Sequence, residues 1–83
     1  MSNPRITLLR IVNGHSDANI SFPDLVRLLR RLGFDLRIRG SHHIFTKDQV
    51  DEIINLQPLA AKAKPYQVRQ VREIIRKYRL EGL

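Results

Sequence analysis

Eighty-three residues suffice for one small domain and not two. With no cysteine, disulfides and thiolate metal sites are excluded. No stretch approaches the roughly 20 apolar residues of a membrane span, and Arg5 and Arg10 interrupt the only apolar run near the N-terminus, so no signal peptide is read there. The expectation is a soluble, cytoplasmic protein without a membrane partner. A formal net charge of +7 and a pI near 10.9 point to a polyanionic partner, nucleic acid first and an acidic protein second.

In chain order, Ile6, Leu8, Leu9, Ile11 and Val12 suit a short amphipathic helix over 4–12, opened by Pro4 and ended by Asn13-Gly14. Residues 15–20 read as a loop, with His15 a solvated member of it. Ser21 is a good N-cap, and Asp24 three places on makes a variant capping box. Phe22, Leu25, Val26, Leu28, Leu29 and Leu32 then form one apolar stripe, with Arg27, Arg30 and Arg31 mainly on the other side and Gly33 as the stop.

Phe34 to Arg39 alternates strictly between apolar and charged residues, the pattern of a half-buried strand. Phe34, Leu36 and Ile38 are expected to face a core, and Asp35, Arg37 and Arg39 solvent. Gly40-Ser41 makes a turn, His42 to Lys47 returns, Lys47 to Gln49 turns again, and Val50 to Leu56 forms a third strand. Short connections favour an antiparallel meander. Gln57 to Pro65 reads as a loop. Pro65 opens a last helix with Val68, Val71, Ile74, Ile75 and Tyr78 inward, and Glu73 is placed to pair with Arg69 and Lys77. The expected fold is a two-layer α+β domain, α-α-β-β-β-α, with helices on one face of a three-stranded antiparallel sheet, similar to the double-stranded-RNA-binding fold.

The chemistry concentrates at Arg37 to Lys47. Histidine titrates near neutral pH, so one placed beside arginines can move a proton at a phosphate. Adjacent strand residues point to opposite faces, so His42 and His43 do not converge as an acid and base pair. From pattern alone both also read as ordinary strand histidines. A metal site is not expected, because the two rings diverge and no carboxylate or cysteine stands at ligand spacing; no cofactor is expected either. Gln67, Gln70 and the arginines of the last helix resemble a DNA-reading face, but its apolar stripe is needed for the core.

Leu25-Val26-Arg27-Leu28-Leu29-Arg30-Arg31-Leu32-Gly33-Phe34, followed by Arg39-Gly40-Ser41-His42-His43-Ile44-Phe45, resembles the HicA (YcfA-like) family of toxin endoribonucleases. The resemblance runs from about Ser21 to Tyr78. It implies one domain over 1–83, with 1–20 a helical extension and loop and 21–80 the core. It also implies metal-independent cleavage of messenger RNA with His42 as the catalytic residue, and neutralisation by a HicB-type antitoxin. Substrate contacts are then expected from Arg37, Arg39, Gly40, Ser41, His43, Lys47 and Lys64. The chain departs from the family in two places. Where many members carry Pro-x-His in the third strand it reads Asn55-Leu56-Gln57-Pro58, and Pro65-Tyr66-Gln67-Val68 replaces the usual Gly-Thr-Leu entry to the last helix. A non-catalytic RNA-binding module of the same fold, a purely structural interaction protein, and an oligomer built through the antitoxin stay open at this point.

Overall fold

Proline stands in the first turn of all three described α-helices, because the first-turn amides it lacks have no intrahelical partner anyway. A computed structural model describes residues 3–82. It orders them as α1 (Pro4–Asn13), a 3-10 turn (Asp17–Asn19), α2 (Phe22–Arg31), β1 (Asp35–Arg39), β2 (His42–Lys47), β3 (Val50–Leu56) and α3 (Pro65–Tyr78). The strands form one antiparallel sheet in the order β1-β2-β3, so the α+β architecture and its order are those the sequence predicts.

The cross-strand register sorts side chains into two faces. Leu36 and Ile38 of β1 stand opposite Phe45 and His43 of β2, which stand opposite Ile54 and Leu56 of β3. This inner face meets the helices. Phe45, Ile54 and Leu56 join Leu25, Leu28 and Leu29 of α2 and Val68, Val71 and Ile75 of α3 in a single buried cluster. From α1, Leu8 and Ile11 enter the same cluster, and the helix packs on α2 and α3. Each fully buried leucine or isoleucine stabilises the fold by about 1.5–3 kcal/mol in transfer terms. Among the described residues the other sheet face carries no helix: Arg37, Arg39, His42, Thr46, Asp51, Ile53 and Asn55 are exposed along it.

Several expectations are corrected by packing. Ile38 points inward by register but stays 59% exposed, because it lies near the end of an edge strand opposite only half-buried His43. Ile6 and Leu9 are also more than half exposed, so the buried stripe of α1 is narrower than its composition. At Ser21, Oγ accepts from the Asp24 amide at 3.4 Å, but the Asp24 carboxylate turns to Arg27 at 3.0 Å instead of completing a box. Residues 57–65 are not a free loop. Leu59 and Lys62 exchange backbone hydrogen bonds, the Phe22 amide donates to the Ala61 carbonyl, and the Ala63 amide donates to that of Ile20. The entries to α2 and α3 are thereby tied together. Gln67 is buried, with its side-chain oxygen accepting from the Lys64 amide at 3.2 Å, which removes it from any base-reading face.

Long-range partners also replace the local pairs expected on α3. Arg72 donates to both carboxylate oxygens of Asp17, at 2.9 and 3.2 Å, and to the Ile11 carbonyl. Lys77 reaches Glu52 at 2.9 Å rather than Glu73, while the Tyr78 hydroxyl donates to Glu52 at 2.6 Å and accepts from the Asp51 amide. The Tyr78 hydrogen bond, then that of Lys77, holds the Glu52 carboxyl below its ordinary range. A carboxylate depressed in the folded state contributes stability above its unfolded value and loses it as pH falls through the folded one. The destabilisation caused by Glu52→Gln should therefore be present near neutral pH. It should shrink as urea melts are taken down through and below the ordinary glutamate value of about 4.3. A pH-independent difference would contradict this.

Candidate functional site

The turn between β1 and β2 has a left-handed backbone only at its first residue, Gly40 (φ 58°), the pattern of a hairpin turn of type II′. Glycine suits that conformation because it has no Cβ to clash. The turn sets Arg39 directly opposite His42. Alternation then puts His42, Ile44 and Thr46 on the uncovered face beside Arg37 and Arg39, with Asp35, Leu36, Arg37, Arg39, Ile44 and Thr46 lining a shallow depression. Among the described residues neither Arg37 nor Arg39 has a side-chain ion pair or hydrogen bond. Two guanidinium groups are thus available to a ligand.

His42 itself is exposed but not loose. Its Nδ1 lies 3.0 Å from Asn55 Oδ1, and its Nε2 lies 3.3 Å from Gln57 Nε2. Gln57 Nε2 also donates to Ser41 Oγ at 2.9 Å. Two carboxamides, Asn55 near the end of β3 and Gln57 just past it, therefore flank one imidazole, and Ser41 of the turn holds Gln57. Sequence reasoning did not single out Asn55 and Gln57 as site residues, although they lie in the segment where the chain departs from the family pattern. Their placement follows from an irregularity in the sheet. Lys47 pairs with Val50 but Phe45 pairs with Ile54, so two steps along β2 answer four along β3. Because the slip is even, faces are preserved. A straight count back from Lys47 and Val50 would set Asn55 opposite His42, whereas the slip sets Asn55 opposite Ile44, diagonal to His42, and brings Gln57 level with His42.

The remaining residues singled out in the sequence are elsewhere. His43 faces the helices, its ring edge-on to Phe22 with centroids 4.9 Å apart. Its Nδ1 is buried with no hydrogen-bond partner among the described residues. Alternation turns Lys47 inward as well, and a Cβ added at Gly33 would stand 2.8 Å from its Nζ. Lys64 is the N-cap of α3. The open face thus gathers His42, Arg37, Arg39 and Ser41 beside Gly40, and does not gather His43, Lys47 or Lys64. Among the described residues no three His, Cys, Asp or Glu side chains cluster as metal ligands. No described helix is long and apolar enough to cross a membrane.

An exposed imidazole with one nitrogen held and the other facing a movable amide can exchange a proton with a bound hydroxyl or water. Free guanidinium groups on the same face can hold a phosphate and stabilise charge that grows on it. The family model for the HicA toxin of bacterial toxin-antitoxin systems matches residues 22–78, more than half of the chain. No curated protein and no solved structure gives a significant match.

Proposed function

The chain belongs to the HicA family of toxins, and from that premise we propose that it is an endoribonuclease that cleaves messenger RNA in the cytoplasm, with His42 as its single general base and no metal required. The observation that carries this reading is the grouping of an exposed, hydrogen-bonded His42 with unpaired Arg37 and Arg39 on the one uncovered sheet face. His42 would take the proton from a ribose 2′-hydroxyl or an attacking water. Such transfer contributes about 10²–10⁴ in rate. Arg37 and Arg39 would hold the scissile phosphate and neutralise charge in the transition state, with Ser41 as a further hydrogen-bonding group. The backbone bend at Gly40 leaves space there, since nothing lies within 4 Å of a Cβ built on it.

The antitoxin, on this reading of HicB type, would act by setting acidic side chains over Gly40 to His42 and pairing with Arg37 and Arg39. That closes the phosphate site without touching the core.

The phosphate contacts are tested by titrating a single-stranded RNA across a range of salt concentrations. Arg37→Ala and Arg39→Ala are each expected to weaken binding on all sequences alike and to reduce the salt slope by about 0.7 per lost contact. Unchanged slopes in both variants would remove the arginines from the RNA path. Cleavage of the same RNA by the wild type tests the activity, and RNA that is bound but never cut would instead describe a binding module.

A further inference from the structure

The two carboxamides around His42 specify more than its position. A carboxamide oxygen can only accept a hydrogen bond and a carboxamide NH₂ can only donate one. Gln57 presents its NH₂ to His42 Nε2 and to Ser41 Oγ, so Nε2 must be the accepting nitrogen. Asn55 presents its oxygen to Nδ1, so Nδ1 must carry the hydrogen. The partners come from separate side chains, reach opposite nitrogens, and require the same tautomer. In a neutral imidazole the hydrogen bond made by one nitrogen decides the chemistry available at the other.

We infer that Asn55 is the positioning residue of the site: it accepts from Nδ1–H, fixes the ring plane and tautomer of His42, and so leaves Nε2 as the nitrogen that receives the substrate proton. In the resting protein the Gln57 amide occupies that lone pair, and the hydroxyl or water to be deprotonated takes its place. Asn55 touches no substrate atom in this arrangement and acts only through His42. The catalytic consequence rests on the ribonuclease reading above. The tautomer does not, because it is a property of the protein alone.

The second observation is where Asn55 stands. It is exposed, contributes nothing to the buried cluster, and pairs across the sheet with Ile44 rather than with His42. Its side chain reaches His42 diagonally, a contact that the sheet itself does not require.

The test is the ¹⁵N resonances of the His42 ring in the labelled wild-type protein at a pH where the ring is neutral, beside Asn55→Ala and Asn55→Asp. The wild type is expected to show a protonated Nδ1 and a bare Nε2. In Asn55→Ala only Gln57 is left beside the ring, and its carboxamide can turn over because Ser41 Oγ can accept or donate. The two tautomers should then mix and kcat fall by about tenfold, the scale of one orienting hydrogen bond, with KM nearly unchanged. Asn55→Asp still accepts from Nδ1–H and should restore both the tautomer and most of kcat. A wild-type ring protonated on Nε2, with both carboxamides reversed, would overturn the inference. So would an Asn55→Ala protein whose tautomer or kcat is unchanged. Should the wild type cut no RNA, the ribonuclease reading fails, whereas the ring resonances still decide whether Asn55 sets the tautomer.

Discussion

Replacing His42 by alanine is expected to slow RNA cleavage by at least about a hundredfold, the lower bound for losing a general base. The melting temperature and the affinity for RNA should hardly move. The separation follows from where the residue sits. His42 is exposed on the uncovered face and gives nothing to the buried cluster, while the same strand is anchored by Phe45. Arg37 and Arg39 remain to hold phosphate in the variant. The measurement is the initial rate of fragment formation beside a thermal melt and a gel shift at fixed salt. A His42→Ala protein that cuts as fast as the wild type would remove His42 from the chemistry whatever its surroundings look like.

The largest effect on folding is expected at Phe45. Its ring is fully buried at the middle strand of the sheet, between Leu36 and Ile54, in the same cluster as the buried residues of α2 and α3. Phe45→Ala removes that ring and leaves a cavity, which costs about 3–5 kcal/mol. A domain this size has a total stability of about 4–12 kcal/mol at 0.05–0.15 kcal/mol per residue. Much of the variant should therefore be unfolded, or should unfold at far lower urea, and Phe45→Leu should lose less because it keeps most of the volume. A Phe45→Ala unfolding free energy within about 1 kcal/mol of the wild type would contradict the packing described for β2.

Much of this was readable from periodicity. The stripe of α2, its Ser21 cap and its Gly33 stop depend on neighbours within one turn, and the structure keeps them. The alternation through Phe34 to Arg39, and the opposite facing of His42 and His43, follow from the strand period alone. What periodicity cannot show is coverage. Ile38 belongs to the inner face yet stays in water, because a pattern reports which way a side chain points and not whether a helix reaches it. Nor can it show which partner wins when a local and a distant one compete. Lys77 has Glu73 four residues away and takes Glu52 from another element, where Tyr78 shares the same carboxylate.

The site divides along the same line. His42 beside Arg37 and Arg39 was legible because a two-residue turn leaves little freedom in pairing β1 with β2. Asn55 and Gln57 were not singled out: a straight count back from the turn at Asp48-Gln49 sets Asn55 alone opposite His42, and only the slip between Phe45 and Lys47 brings Gln57 level with the ring and moves Asn55 to the diagonal. Both amides meet the imidazole at the place where the chain departs from the Pro-x-His pattern. His43 and Lys47 were drawn into the site by nearness in sequence, and alternation turns both toward the helices. Lys64 was drawn in by charge alone and stands at the N-cap of α3, away from the hairpin turn.

The most direct test of the central claim is incubation of a long single-stranded RNA with the purified chain in excess EDTA, alongside His42→Ala prepared in the same way. Fragments are expected from the wild type and intact RNA from the variant. Intact RNA in both, still retarded on a gel, would contradict the claim and leave a protein that holds RNA without cutting it.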